Sequence, residues 1–429
     1  MQFNATIERS TMFDRLFPRH QTRERHITSP LFQERLDYLQ HCAAEGYAST
    51  TLRPLATDLL LIQNLLGLPE SCQKLEPATV RVAIDKWATR EPKYFSHKNG
   101  RRCRENLPQR AIRWLLYMDR LQISRSDTSA YSVFIEDFAG YMRQQRGLSE
   151  ETIKGRSWCV EDFLRWFFRD HLSLSDITIA EIDEGIARKG RDHGYGRSSV
   201  KVYASGIRAF FRHAERKGWC RRGLADVIES PRVYQYEGLP SGPSWDDVQR
   251  VIATTEGGRP KDLRDRAMLL LFAVYGMRSG EVRSLKLESL DWAKNLISVS
   301  RTKGRRIQCY PLVETVGEAI LRYLEDGRPN SSKYREVFLT VEAPIQPLRG
   351  SSAWTIVAKR LRPLGLPLRQ HGPHALRHAC ATRLLAEGLS LKEIGDHLGH
   401  RAPKVTAAYA KVDITGLREA ANFALGDLV

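Results

Sequence analysis

No part of this sequence stays apolar for long. The longest run, Ala267–Tyr275 with its flanks, falls well short of the roughly 18 residues a spanning helix needs. The opening residues, MQFNATIERSTMFDRLF, lack the apolar core of a secretory signal, so a cytoplasmic protein with no membrane partner is expected. Cysteine is sparse. Cys42, Cys72, Cys103, Cys159, Cys220, Cys309 and Cys380 are odd in number, scattered and without a Cys-x-x-Cys pair, and they read as reduced structural thiols. Neither a G-x-x-x-x-G-K-[ST] phosphate loop nor a G-x-G-x-x-G fingerprint occurs, so no ATP, dinucleotide or other cofactor is called for. Any chemistry must run without nucleotide energy.

Acidic residues are also in deficit. Lys and Arg number 67 against 50 Asp and Glu, a net charge of +17. That excess favours a polyanionic partner, with nucleic acid first and an anionic membrane second. The 429 residues allow two or three domains, each with its own core.

Helical periodicity dominates. Phe134, Phe138, Tyr141 and Met142, then Val160, Phe163, Leu164, Phe167 and Phe168, recur at three- and four-residue steps, with Ser149 and Thr152 opening the second helix. With Ile179–Ile186 and Val200–His213 they predict a compact bundle of four or five helices over residues 126–232. Its free faces carry Lys154, Arg156, Arg165, Lys201, Arg208 and Arg212, which serve equally as solvated faces or as DNA contacts. The proline- and glycine-rich segment SPRVYQYEGLPSGPS marks a linker at 233–243. Beyond it, over 244–429, Ser244 caps a helix from Trp245, and Asp262–Tyr275 forms an apolar helix closed by Gly276. Leu296–Ser300 and Arg306–Leu312 read as a hairpin around Thr302-Lys303-Gly304-Arg305. Three further helices follow: Pro373–Ala386 ended by Gly388, Ser390–Leu398 with a Ser390/Glu393 capping box, and Pro403–Lys411.

Five segments hold side chains that one phosphodiester reaction would need: Arg278 in GMRSGEV, Lys303 in RTKGRR, His374 and Arg377 in HALRH, His400 in LGH, and Tyr409 in TAAY. Each alone has an ordinary reading. Arg278 at a helix start is either a surface arginine or an anion site, and Lys303 at a hairpin tip is usually solvated. His374 and Arg377, three apart, share a helix face. His374 and His378 have the spacing of the H-E-x-x-H zinc motif, but Ala375 stands where its glutamate belongs and Arg377 would set a cation beside the metal, so no metal is expected. An apolar-flanked tyrosine such as Tyr409 is by default packed core.

Taken together and in this order, the segments resemble the tyrosine recombinase, or phage integrase, family over residues 127 to 429. G-M-R-S-G-E-V-R-S-L is similar to its first arginine box at Arg278 and Glu281, and T-K-G-R-R-I-Q-C-Y-P-L to its lysine hairpin at Lys303. H-A-L-R-H-A-C-A-T is similar to its H-x-x-R box at His374, Arg377 and His378, and L-G-H followed by T-A-A-Y to its closing box at His400 and Tyr409. Lys411 stands where the family often has histidine. The resemblance implies a mainly α fold: a helical, SAM-like core-binding domain, then a mixed α/β catalytic domain with a small β-hairpin, here preceded by an extra helical domain over 1–125. It implies a site-specific recombinase acting on double-stranded DNA through a 3′-phosphotyrosine on Tyr409. Arg278 and Arg377 would clamp the phosphate, and His374 and His400 would add hydrogen bonds, His374 also taking the tyrosine proton. Lys303 would protonate the leaving 5′-oxygen, with Glu281 and His378 as supports. Arg305, with Lys154, Arg156, Lys201 and Arg208, would contact DNA. The apolar-periodic tail Ile414–Leu428 would dock on a neighbouring protomer in a homo-oligomer on DNA, and related recombinases of the same element are further candidate partners. The extra domain suggests integration or transposition of a mobile element. A type IB-like topoisomerase would use nearly the same residues, and a non-catalytic DNA-binding accessory protein is the other alternative.

The extra domain itself carries an echo of the bundle. Gly46–Leu52 parallels Gly147–Ile153, Leu59, Ile62 and Leu66 fall on Val160, Phe163 and Phe167, Val80–Trp87 resembles Ile179–Ile186, and Ala111–Leu116 resembles Gly206–Phe211. Two readings stand: a diverged copy of the core-binding bundle, hence a second DNA-binding domain with the basic stretch Lys93–Arg110 tracking phosphates, or the periodicity that helical bundles share by chance, with the region a protein–protein module.

Overall fold

The computed structural model describes residues 12–70, 73–90, 98–122, 131–233, 242–301, 306–330, 333–400 and 403–409. The chain forms two compact units by contact, Gln122–Glu237 and the combination of Met1–Leu121 with Gly238–Val429. The second unit, Gln122–Glu237, corresponds to the helical bundle expected over 126–232. Lys303, Arg305 and the tail Ile414–Leu428 lie outside the described residues, as do the side chains of Lys93, Lys98, Arg101, Arg102 and Arg104.

The amino-terminal helices are α1 (His20–Thr28), α2 (Phe32–Ala44), α3 (Ser49–Leu65), α4 (Pro77–Arg90) and α5 (Lys98–Tyr117). Phe13, Leu39, Leu59, Ile62, Val80, Ile84 and Trp114 fill their core.

The second unit contains α6 (Ser132–Gln144), α7 (Glu150–Phe167), α8 (Ile179–Arg191), α9 (Arg197–Lys217) and the short α10 (Leu224–Val227). Local chemistry sets the boundaries. Ser149 accepts the Thr152 N–H ahead of α7, and Thr178 and Glu181 form a reciprocal capping box ahead of α8. Phe138, Phe163, Phe167, Ile182, Tyr203, Phe210 and Phe211 close the core.

The carboxy-terminal portion begins with α11 (Trp245–Ala253), α12 (Pro260–Val274) and α13 (Ser279–Arg283). It continues through β1 (Leu290–Asp291), β2 (Leu296–Arg301), β3 (Arg306–Pro311), α14 (Glu314–Arg322), α15 (Ser352–Leu361), α16 (Pro373–Ala386), α17 (Leu391–Leu398) and α18 (Pro403–Thr406). Helix α12 is buried on nearly every side: Ala267–Ala273 is apolar all round, and the buried charges Asp262, Arg264 and Asp265 of its first turns are paired with one another or with Arg360. Helices α11, α13, α14, α15 and α16 pack on it. The three strands form one antiparallel sheet in the order β1-β2-β3, with Ile297 opposite Tyr310 and Arg301 opposite Arg306. Ser244 and the Ser390/Glu393 box cap α11 and α17 as their sequences predict. The last helix is shorter than its periodicity suggests. The α-helix closes at Thr406, and Tyr409 follows it after a turn, in 3-10 conformation.

Gly185 on α8 is where the second unit is tightest, since a Cβ there would run into the rings of Phe163 and Trp166 on α7. Gly185→Val should therefore destabilise this unit by about 1–3 kcal/mol, the usual cost of overpacking. An unchanged thermal unfolding transition would show that the two helices are not in this register.

Candidate active site

Helix α17 ends at Gly399, whose positive φ (64°) lets the chain turn back sharply. A turn of this kind leaves carbonyls at a helix end that need donors from elsewhere. Gln308 Nε2 donates to Asp396 O (2.9 Å), and Arg301 Nη2 (3.2 Å) and the Tyr310 hydroxyl donate to His397 O. Arg377 Nη2 donates to Leu398 O (2.8 Å), and Arg278 Nη2 to Gly399 O (3.0 Å). A second turn does the same at the end of α12, where Arg377 Nη1 donates to Gly276 O and Gly276 has a φ of 57°. Added side chains would strike Leu398 at Gly276 and the Arg301 guanidinium at Gly399, so both positions need glycine for space as well as for conformation.

One carboxylate ties two of the three arginines together. Glu281, 1% exposed, accepts from the Arg278 backbone N–H (2.8 Å), Arg278 Nη1 (2.9 Å) and Arg301 Nη1 (2.7 Å). Helix α13 has only five residues, so the anion affinity of this corner comes from the Arg278 side chain rather than from a helix terminus. Arg377 is 4% exposed, and burial, with Arg278 close by, lowers its pKa to about 10, which leaves it charged at neutral pH.

Arg278 and Arg377 line a cavity of about 200 Å³ together with Ser279, Gly350, Ser351, Trp354, Gln370 and His374. A guanidinium has five N–H donors, so the backbone bonds leave both arginines with capacity for an anion.

His374 and His378 lie one turn apart on α16, with ring centroids 6.2 Å apart. His378 Nδ1 is 2.8 Å from the Tyr409 hydroxyl, within hydrogen-bonding distance. The phenol's partner is thus His378 rather than His374, because Tyr409 settles over the second turn of α16 among Cys380, Ala381, Ile394 and Leu398. Tyr409 is 3% exposed, and burial pushes its pKa up to about 12. Burial lowers His378 to about 4, and His400, which bonds Thr406 Oγ1 through Nδ1 at 2.7 Å, also to about 4. Gly242 in the preceding segment lies so close to α16 that a Cβ would sit 2.8 Å from Ala379 N and 2.9 Å from Ala375 O.

Arg278, Glu281, His374, Arg377, His378, His400 and Tyr409 therefore gather in one region. Among the described residues no group of three or more His, Cys, Asp or Glu side chains is placed to hold a metal ion, and no helix is long and apolar enough to cross a membrane. Sequence reasoning missed Arg301, Gln308, Tyr310 and Thr406. For Arg301 a signal was present: β2 alternates, with Ile297, Val299 and Arg301 all inward, and an arginine at an inward position asks for buried partners.

The second unit holds another basic cluster. Arg146, Arg156, Arg208, Arg212 and Arg216 line a cavity of about 450 Å³ beside Phe138 and Tyr141. Of the residues expected to meet DNA, Arg156 and Arg208 lie here, Lys154 and Lys201 are exposed but outside it, and Arg208 is partly spent on Ile228 O and Ser230 Oγ.

A helical bundle and a helical unit with one small sheet, the latter carrying paired arginines and histidines beside a tyrosine, define a DNA strand-transferase class of enzyme. Residues 244–415 match the phage integrase family, and residues 135–218 match the phage integrase N-terminal SAM-like domain. A chain described as an integrase/recombinase in Sinorhizobium fredii is 34% identical over 292 residues, 68% of this chain and 70% of that one. The tyrosine recombinase XerD of Listeria monocytogenes is 31% identical, over 66% of this chain and 96% of its own length. Among solved structures, the XerH site-specific recombinase bound to palindromic difH substrate shares the fold with a TM-score of 0.53 at 16% identity, covering 82% of this chain and 98% of that one. A lambda integrase dimer bound to a COC′ core site has a TM-score of 0.51 at 17% identity, covering 65% and 94%. The chain belongs to the phage integrase family of tyrosine recombinases.

The depressed histidines give a pH prediction. His378 and His400 titrate near 4 when folded and at the ordinary 6.5 when unfolded, so the unfolded chain binds more protons between these values. Their contribution to stability is complete above pH 6.5 and is lost as pH falls towards 4. The urea midpoint should drop across that window, and His378→Gln with His400→Gln should flatten the drop. An identical pH slope in the double variant would place the acid sensitivity elsewhere.

Proposed function

We propose that this chain is a site-specific DNA recombinase, an integrase or transposase that cleaves and rejoins DNA through a phosphotyrosine without metal or nucleotide. One observation carries the reading: Arg278 and Arg377 line one cavity, Arg278 shares the single carboxylate of Glu281 with Arg301, and Arg377 is held by backbone carbonyls alone. Such a site is left positive and suits an anion. The forked guanidiniums of Arg278 and Arg377 fit the non-bridging oxygens of a phosphodiester and the charge that grows in its pentavalent transition state. His374, lining the same cavity, and His400 would add hydrogen bonds.

The Tyr409 oxygen attacks phosphorus, the P–O5′ bond breaks, and a 3′-phosphotyrosine and a 5′-hydroxyl result. The leaving oxygen needs a proton, for which Lys303 on the hairpin is the group with the right chemistry. Rejoining is the reverse attack by a 5′-hydroxyl, so the phosphotyrosine conserves the bond energy. In the free chain the phenol's hydrogen-bond partner among the described residues is an imidazole of pKa about 4, and proton transfer to it is strongly uphill. Ionisation of Tyr409 therefore belongs to the DNA complex, where phosphate, His374 and Lys303 complete the site.

Double-stranded DNA is the partner, gripped also by the arginine cluster of the second unit. Service to a mobile element agrees with the third of this chain that lies outside the match to XerD. The tail Ile414–Leu428 is the segment by which protomers would assemble on DNA, and related recombinases of the same element are further partners.

Tyr409→Phe should bind DNA normally yet form no SDS-resistant adduct on a suicide substrate, since only the phenol oxygen is removed. An adduct formed by the Phe variant would defeat the assignment. Lys303→Ala should slow cleavage of ordinary DNA by roughly 10²–10⁴-fold. A 5′-bridging sulfur should restore most of this, because a thiolate leaves unprotonated. Equal defects on both substrates would reduce Lys303 to positioning.

A further inference from the structure

The two helical bundles have the same construction. Helices α2, α3, α4 and α5 have 13, 17, 14 and 20 residues, and α6, α7, α8 and α9 have 13, 18, 13 and 21. In each, the first helix packs on the second, the second on the third and fourth, and the third on the fourth. Each first helix ends before a glycine of positive φ, Gly46 (87°) and Gly147 (56°). Tyr47 N donates to Cys42 O (3.1 Å) as Leu148 N does to Met142 O (3.1 Å).

Burial settles the register. Leu107, Ala111, Trp114 and Leu115 fall on Tyr203, Ile207, Phe210 and Phe211, and Val80 and Ile84 fall on Ile182 and Ile186. These pairings differ by one and three residues from the parallels read in sequence, where no side is yet distinguished as inside. The same register places Tyr117, tilted against Tyr38 at 5.2 Å and stacked on His41 at 5.0 Å, upon His213, which sits 5.7 Å from Phe138 and 4.6 Å from Tyr141.

What the copies do not share is charge. The groove beside Phe138 and Tyr141 is lined by Arg146, Arg156, Arg208, Arg212 and Arg216. The corresponding amino-terminal positions are Glu45, Leu55, Ile112, Leu116 and Arg120, so only the last remains an arginine, and its Nη1 donates to Leu68 O (3.0 Å). The corresponding groove, about 500 Å³, has Tyr38, His41, Glu45 and Tyr117 in its lining with Arg113 as its one arginine, and also Pro344 from the carboxy-terminal portion. Ile345 N donates to Glu45 O (3.0 Å), Lys333 Nζ pairs with Glu45 at 3.3 Å, and a Cβ on Gly46 would lie 2.6 Å from Ile345 Cγ1. The gripped loop is closed on itself, with Thr340 Oγ1 donating to Pro344 O (2.7 Å) and accepting from Gln346 N (3.0 Å). A few residues on, Gly350, Ser351 and Trp354 form one wall of the arginine cavity.

We infer that the amino-terminal bundle is a second core-binding bundle whose DNA-facing groove has been converted into a seat for the chain's own Thr340–Gln346 loop. It braces the wall of the phosphate pocket instead of gripping a second stretch of DNA. The consequence for cleavage rests on the recombinase reading, and the docking itself does not.

Full-length Ile345→Asp tests this. Amide hydrogen exchange across 340–351 should quicken at least tenfold in the variant, with no DNA present, and the suicide-substrate cleavage rate should fall about tenfold or more, as misplacement of a binding wall predicts. Full-length Arg113→Ser/Arg120→Ser should leave the DNase footprint and the salt dependence of binding as in the wild type. Unchanged exchange in Ile345→Asp would overturn the docking, and quickened exchange with an unchanged rate would overturn the brace. A shortened footprint or flatter salt slope in the arginine variant would overturn the inference in favour of a second DNA grip. Absence of any adduct in the wild type would defeat the recombinase reading while the exchange result still judged the docking.

Discussion

Everything in the reactive region hangs on carbonyl oxygens left over at the ends of two helices. Helices α12 and α17 both stop at glycines of positive φ, and their last carbonyls point into protein rather than water. Buried carbonyls without donors cost about 1–3 kcal/mol each, so donors must come. They come as guanidiniums: Arg377 spans Gly276 O and Leu398 O, Arg278 takes Gly399 O, and Arg301 takes His397 O. The negative ends of the helix dipoles favour the same cations. Satisfying the fold and charging the site are therefore one interaction.

That arrangement explains how several buried positive charges are held in one place. A cluster of arginines would ordinarily repel itself apart. Here neutral carbonyls fix each guanidinium in position, and Glu281 supplies only as much negative charge as keeps Arg278 and Arg301 together. The remaining excess is the positive charge that a phosphate would meet under the proposed function. The same desolvated surroundings lower His378 and His400 and raise Tyr409, so the free protein keeps its tyrosine protonated.

The two bundles show how one packing scheme accepts opposite surfaces. Their inward positions demand volume and apolarity, and they match helix by helix. Their grooves lie outside that demand. In the second unit the groove carries five arginines; at the amino terminus it has Arg113 alone and meets a loop of the same chain. A groove exposed to solvent is free to change partner without disturbing the core that supports it.

Much was legible before any coordinates. The glycine after Tyr275, the serine caps at Ser149 and Ser390 and the alternation in β2 are local, and local sterics and hydrogen bonds decided them from sequence alone. The order of Arg278, His374, Arg377, His400 and Tyr409 along the chain was likewise enough to place it in a family. What sequence did not disclose depends on which distant surfaces meet. That Tyr409 rests on His378, that Arg301 and Glu281 form one buried pair, and that the amino-terminal helices clasp Ile345 are relations between residues tens to hundreds of positions apart. Periodicity tells which face of a helix is apolar, but the partner of that face is chosen only when the whole core closes around it.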